Sequence, residues 1–377
     1  MPAAPRTPDP IARLPEEWEA QLRAWDQPRY RAKQIFSWIH ERGVTDPEAM
    51  TNLPKSLRAR LVEDGLRPMM EVAARHRSED GTQKLLLSMG DARTVEAVLI
   101  PQGSSGAEDP IGGEETEPGT RPVTQCISTQ VGCAMGCVFC ASGMAGLKRH
   151  LSAGEILSQV LLGRDLVDEG DRLRNIVFMG MGEPLHNYDA VARALRLLFH
   201  AEGLGFGTRR VTLSTSGLIP EIDRLAADFD GKVQLAISLH VPDDERRSAL
   251  MPINRRYPLK DLMKALRRYP LPKRRRITIE YTLVRGYNDT LEDAEALAAL
   301  LKGLRSKVNL IPMNPVPDNP LGPPTWEVVE AFHDRLWERG VSTFVRRRKG
   351  DDIAAACGQL ALEGEEKKIR VALPVTR

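Results

Sequence analysis

Between residues 16 and 66 apolar positions recur at helical spacing. Trp18, Leu22, Ile35, Phe36, Trp38, Ile39, Leu53, Leu57 and Leu61 are candidate core positions, and Pro54 stands at a helix start. The pattern predicts a small helical domain over 13–75, preceded by a Pro/Ala-rich stretch, 1–12, expected to be disordered. The rhythm then changes. Segments 81–88 and 94–100 read as the strands of a hairpin closed around Met89-Gly90-Asp91, within a linker over 76–121. Its end, 101–120, is rich in Gly, Pro and Glu and reads as a mobile surface loop. From residue 122 short apolar runs alternate with helical patterns: 122–128, 174–180, 209–215, 233–239, 276–283, 307–312 and 341–346 are the expected strands. That βα repetition predicts a parallel sheet over 122–350, either barrel-like or doubly wound, with a C-terminal segment, 351–377, after it.

No G-x-G-x-x-G follows the first of these strands, so a dinucleotide fold loses its main support. In a barrel the functional groups should gather at the C-terminal strand ends. Met181-Gly182-Glu183-Pro184, Ser214-Thr215, Ser238-Leu239-His240 and Asn314 all follow or finish expected strands.

Composition adds little to the fold but narrows the setting. At 377 residues and 42% hydrophobic content the chain can bury a large core with a smaller appended domain. No apolar run approaches a membrane span, and cytoplasm is the expected location. Net charge of +2 is uninformative, but Lys273-Arg274-Arg275-Arg276 and Arg346-Arg347-Arg348-Lys349 are local basic blocks, either solvated faces or contacts to a polyanion.

Five cysteines, three of them crowded into C-A-M-G-C-V-F-C at 133–140, suggest ligands or catalysts rather than a disulfide framework. Cys133, Cys137 and Cys140 are spaced to bind one centre. Structural zinc normally takes a fourth protein ligand, whereas a [4Fe-4S] cluster on three thiolates keeps one iron open for chemistry. Redox-active or buried thiols are the remaining reading.

C-A-M-G-C-V-F-C, with the aromatic Phe139 before its last cysteine, resembles the C-x-x-x-C-x-x-C signature of the radical S-adenosylmethionine enzymes. The resemblance implies a partial (βα)6 barrel with extra strands, a [4Fe-4S] cluster on the three cysteines, and S-adenosylmethionine bound to the open iron. By the same resemblance M-G-M-G-E-P-L at 179–185 places Gly182 and Glu183 at the cofactor's amino group. Ser214, Ser238, Leu239, His240 and Asn314 fall in further cofactor-contacting stretches.

C-I-S-T-Q-V-G-C at 126–133, R-K-G-D-D-I-A-A-A-C-G-Q-L-A at 348–361 and R-A-K-Q-I-F-S-W-I-H at 31–40 are similar to one branch of that family. Its members are bacterial RNA methyltransferases that modify a ring carbon of adenine, closest here to those acting on both 23S rRNA and tRNA. The resemblance implies that Cys357 carries a methyl group as S-methylcysteine, that Cys126 resolves the enzyme–RNA adduct through a transient disulfide bond, and that Glu96 is a candidate proton acceptor. It also implies an N-terminal RNA-binding accessory domain, two S-adenosylmethionine per turnover, and an external reductant such as flavodoxin or ferredoxin. The expected product is 2-methyladenine at position 2503 of 23S rRNA and position 37 of tRNAs, made by a monomer. C8 methylation of the same rRNA adenine and a non-catalytic iron-sulfur RNA-binding protein are the alternatives.

Overall fold

The structure, a computed structural model, describes residues 8–103, 120–316, 319–346 and 349–360. Residues 1–7, 104–119 and 361–377 lie outside them, and with them most of the expected disordered N-terminus, the expected loop and the end of the C-terminal segment.

Helices α1 (Pro15–Ala24), α2 (Arg31–Phe36) and α3 (Lys55–Glu63) form the N-terminal part. Trp18, Leu22, Ile35, Phe36, Ile39, Leu53, Leu57 and Leu61 are buried as the periodicity predicts. Trp38 is only half-buried, because its indole donates to Asn52 Oδ1 (2.6 Å) and stacks under Arg42 at 4.3 Å. The disorder expected to residue 12 ends sooner. Pro10–Ala12 is a 3-10 turn whose Ile11 and Ala12 are buried in the same continuous core as the rest of the chain.

Among the described residues ten strands make one sheet. β1 (Met70–Arg77), β2 (Gln83–Met89) and β3 (Thr94–Pro101) run antiparallel to their neighbours, ending on β4 (Arg121–Cys126). The helical domain expected to reach residue 75 therefore stops before β1. A minor pair, β5 (Gln130–Val131) and β6 (Arg149–His150), stands apart. The sheet continues in parallel through β7 (Asp171–Phe178), β8 (Val211–Thr215), β9 (Gln234–Ser238), β10 (Ile277–Leu283), β11 (Ser306–Pro312) and β12 (Thr343–Val345). Strand order follows chain order with β1 and β12 at opposite edges, so the barrel is partial, extended at one edge by the β1–β3 meander.

The helices of this part are α4 (Ala141–Ala145), α5 (Ala153–Leu166), α6 (Tyr188–Phe199), α7 (Ile219–Phe229), α8 (Asp244–Leu250), α9 (Leu259–Arg268), α10 (Leu291–Leu301) and α11 (Trp326–Glu338). Their starts are written locally: Ser152 and Glu155 form a capping box on α5, Thr290 and Asp293 another on α10. Along β10, alternation divides the faces. Ile277, Ile279, Tyr281 and Leu283 are fully buried in the apolar core, whereas Thr278 and Glu280 line the barrel interior with Thr124, Thr212 and Asn309. The polar interior leads upward to the C-terminal strand ends.

Candidate active site

Cys126 closes β4, in register with Val98 on β3 and Val177 on β7. The chain beyond it is held by a buried polar web. Ser128 Oγ donates to the Glu96 carbonyl (2.6 Å) and accepts from Met181 N (2.9 Å), while Ser128 N donates to Gln159 Oε1 (2.8 Å). Gly132 then turns the backbone at φ +74°, where a Cβ would overlap the Gly146 carbonyl. This turn delivers the cysteine loop. Cys140 N donates to the Cys137 carbonyl (3.2 Å) and Cys133 N to the Gly146 carbonyl (3.2 Å), and α4 follows directly.

Burial pushes the Cys133 thiol up to about 12 and raises Cys137 and Cys140 as well, with Cys133 and Cys140 each contributing to the shift at Cys137. The three thiols thus share one desolvated pocket, a setting in which a metal centre would take them as thiolates. Among the described residues no three His, Cys, Asp or Glu side chains converge on a single ion. A cubane cluster binds its thiolates through separate irons and needs no such convergence, so the soft donor set fits it better than zinc.

The expected cofactor residues meet around this loop. Gly182 adopts φ +103° against Gln130, and Gln130 Oε1 accepts from Glu183 N (2.8 Å). The Glu183 carboxylate accepts from Leu185 N, Ser216 N and Ser216 Oγ at 2.8–3.0 Å, all neutral donors, and burial raises its pKa. An ammonium group would offset that burial. Asn314 donates Nδ2 to the Cys357 carbonyl (3.0 Å) and leaves its buried Oδ1 without a partner, a second mark of a polar ligand. Ser214 pairs with Ala236 between β8 and β9, and Ser238 ends β9 beside Glu280. His240 has φ +58°, its Nδ1 accepts from Thr282 N (2.9 Å), and its ring meets Phe139 edge-on at 4.9 Å. Burial and the nearby Arg247 lower it to about 3, so it is a neutral imidazole with Nε2–H available.

Cys357 and Cys126 face one cavity, which Met179, Asn314 and Arg346 also line. Cys126 is pushed up to about 12 by burial, with Cys357 contributing. The Arg346 guanidinium is raised chiefly by the nearby Cys357 sulfur, with Glu280 and Cys126 adding to the shift. The turn carrying Cys357 is tied to the cysteine loop. Ala141 N donates to the Gly358 carbonyl (2.9 Å) and Ser142 Oγ to the Leu360 carbonyl (2.7 Å). All five cysteines are free thiols, so the expected disulfide is not formed in this state. Glu96 does not line that cavity. It is 3% exposed and ion-paired with Lys84 Nζ at 3.0 Å, not the solvated carboxylate that a strand position suggests.

Comparison with known proteins decides the family. Residues 127–301 match the Radical SAM superfamily, and residues 15–65 the ribosomal RNA large subunit methyltransferase N-terminal domain. A dual-specificity RNA methyltransferase RlmN of Sorangium cellulosum is 59% identical over 381 residues, covering 97% of this chain and 98% of that one. Another, of Anaeromyxobacter dehalogenans, is 46% identical, covering 95% and 93%. The chain belongs to the RlmN family of radical SAM methyltransferases. The crystal structure of a radical SAM methyltransferase from Sphaerobacter thermophilus superposes with TM-score 0.84 at 45% identity, covering 94% of this chain and 99% of that one. RlmN membership makes the chain an enzyme and carries with it S-adenosylmethionine and a [4Fe-4S] cluster.

Two residues of this RlmN site escaped the sequence reading, Arg346 and Arg247. Arg247 is 1% exposed, and its guanidinium donates to the Leu239 carbonyl (3.0 Å), Asn254 Oδ1 (2.6 Å) and the Ser216 and Ser238 carbonyls (3.0 and 2.9 Å). Its spacing of three from buried Leu250 on α8 was the available signal.

Proposed function

We propose that the enzyme methylates carbon 2 of adenine in RNA, at adenine 2503 of 23S rRNA and adenine 37 of tRNAs, with Cys357 as the methyl carrier and two S-adenosylmethionine consumed per turnover. The observation that carries this reading is the meeting of Cys126, Cys357 and Arg346 at one cavity, with the Cys357 turn bonded to the cysteine loop. Carbon 2 lies between two ring nitrogens and is electron-poor, so it does not attack a sulfonium methyl as an amine would. A thiolate does, and the Arg346 guanidinium lines the same cavity as the Cys357 sulfur. Gly182, Glu183, Ser214, Ser238, Leu239, His240 and Asn314 would hold S-adenosylmethionine beside a cluster on Cys133, Cys137 and Cys140. Bound there, cofactor and cluster supply a hydrogen-abstracting 5'-deoxyadenosyl radical.

Loss of one hydrogen from the methyl on Cys357 leaves a thiomethylene radical that adds to the ring. Once the adduct has given up one electron to the redox centre, Cys126, in the same cavity, would take the ring proton as a thiolate and close a disulfide with Cys357, that proton passing to the methylene carbon as the methylated base departs. Its ordinary resting state is the protonated thiol, given how far burial raises it. Cys126 must therefore lose its own proton before it can take one from the ring. Glu96, held by Lys84, is the alternative acceptor. The disulfide must be reopened before the next turnover, which points to a reducing cytoplasm and an external electron donor such as flavodoxin or ferredoxin.

The test uses anaerobically purified enzyme, unmodified rRNA, reductant and S-adenosylmethionine with a fully deuterated methyl. 2-Methyladenosine that retains two of the three deuteriums, and is lost in Cys357→Ala, is the expected result. Retention of all three would mean direct methyl transfer and remove the role of Cys357, and 8-methyladenosine would overturn the choice of carbon.

A further inference from the structure

The block Lys273–Arg276 does not lie near the target site. It immediately precedes β10, at the N-terminal end of the parallel strands, whereas every candidate site residue on the parallel strands lies at or beyond a C-terminal end. With seven residues in β10, the two ends are on the order of 20 Å apart. At that far end the starts of β10, β11 and β12 and the ends of α10 and α11 enclose a cleft lined by Arg274, Arg275, Arg276, Lys302, Arg305 and Arg339, against one carboxylate, Glu295.

Six cations and one anion leave a local charge of +5 in a chain whose total is +2. The charge is built in rather than neutralised. Arg275 is anchored by Thr208 Oγ1 (2.7 Å) and the Lys232 carbonyl, and Arg305 by the Leu271 and Pro272 carbonyls (2.8 and 3.3 Å), none of which removes charge. Glu295 is already shared between Arg335 and Arg339 at 2.9 and 2.6 Å. Arg274, Arg276, Lys302, Arg305 and Arg339 are exposed, and Arg274 sits at φ +64° in a left-handed turn. Cations held this close repel one another, and a row of phosphates relieves that repulsion while releasing counterions.

We propose that this cleft binds the phosphate backbone of an RNA segment remote from the target nucleotide, so that a folded RNA is gripped at both ends of the barrel. The inference rests on the reading of the chain as an RNA-modifying enzyme and adds a second contact surface to it. An acidic electron-donor protein is the weaker occupant, since docking here would leave it the length of the sheet from the cysteine loop.

The experiment compares cluster-loaded full-length enzyme with a variant carrying Arg274→Ala, Arg276→Ala and Lys302→Ala. Binding to an unmodified tRNA transcript and to its isolated anticodon stem-loop is measured by fluorescence anisotropy between about 0.05 and 0.3 M salt. Each phosphate contact contributes about 0.7 to 0.9 to the salt slope. The triple variant should therefore bind the whole transcript with a slope shallower by roughly 2 and an affinity at least tenfold weaker at about 0.1 M salt. Stem-loop binding should stay within about twofold, as should both RNAs with Lys260→Ala/Lys264→Ala on the exposed face of α9. An unchanged slope for the transcript, or equal losses for transcript and stem-loop, would overturn the proposal, as would a loss of electron-donor binding with RNA binding intact. Because binding is read without turnover, a different methylated carbon would leave this result standing and fall on the functional reading alone.

Discussion

Replacing Arg247 by methionine tests whether the tips of β8 and β9 depend on one buried guanidinium. The side chain makes four hydrogen bonds, three of them to the carbonyls of Ser216, Ser238 and Leu239. Charge-assisted bonds of this kind contribute about 1.5–3 kcal/mol each, so their gross value is roughly 6–12 kcal/mol. Burial opposes them: it lowers the guanidinium from 12.5 to about 10, which at about 1.4 kcal/mol per tenfold is roughly 3 kcal/mol of desolvation. The bonds win. Methionine nearly fills the volume but leaves buried carbonyls unpaired, so the expected cost is about 3–5 kcal/mol. At this chain length that corresponds to a fall in melting temperature of about 5 °C. Because two of the loosened residues, Ser238 and Leu239, are expected cofactor contacts, S-adenosylmethionine should bind at least tenfold more weakly, about 1.4 kcal/mol. Arg247→Lys should fall between, since one ammonium cannot reach all four acceptors. Differential scanning fluorimetry and equilibrium dialysis of labelled S-adenosylmethionine, on protein matched for iron content, give the two readouts. A methionine variant with melting temperature and affinity both unchanged would refute the reasoning.

Buried His40, lowered to about 3 by burial with help from His200 and Arg164, binds no proton in the folded chain when its unfolded counterpart, near 6.5, does. It therefore costs nothing above pH 6.5 and removes about 1.4 kcal/mol of stability per pH unit as pH falls toward 3, or about 2 kcal/mol at pH 5. His40→Leu should shrink the difference between the unfolding free energies from urea titrations at pH 7 and pH 5 by that amount, and an unchanged difference would show that His40 does not carry it. Gly132→Ala forces a Cβ onto the Gly146 carbonyl at a positive φ, so the loop bearing Cys133 must move; iron and sulfide per chain should fall by more than half, measured after anaerobic reconstitution. Lys84→Met removes the ion pair from the buried Glu96 carboxylate and should cost roughly 3 kcal/mol. The double variant Lys84→Met/Glu96→Leu should recover most of that stability, and recovered turnover as well would show that Glu96 is structural rather than a proton acceptor.

The parallel strands were legible because their apolar runs are bounded by turns and separated by helical patterns. β1 was not. Of its eight residues only Met70 is fully buried, because it is an edge strand with polar side chains on both faces and nothing in M-E-V-A-A-R-H-R alternates. Pro10–Ala12 failed for the opposite reason. Its composition matches disordered chain, but Ile11 and Ala12 sit beneath α5 and α6, a contact that depends on residues more than 140 positions away.

The chemistry divides along the same line. Cys133, Cys137 and Cys140 are readable because the spacing of three ligands along a loop is a local property. Arg247 and Arg346 lie in arginine pairs and blocks that look solvated, and what sets one of each apart is tertiary: a helix face turned inward for Arg247, a C-terminal turn folded back over the barrel for Arg346. The neighbouring Arg246 shows how little the residue type decides. It is only part-buried and bonds Asp243 and Asp293, conventional carboxylate partners, while Arg247 beside it meets carbonyls and one amide. The basic blocks make the point at larger scale. Sequence gives both the same sign, but strand direction sends Lys273–Arg276 to one end of the barrel and Arg346, beyond β12, to the other. Charge therefore becomes a functional argument only after topology has assigned it an end, and that assignment is why the two blocks are given different partners: a thiol for Arg346, a distant phosphate backbone for Arg274 and Arg276.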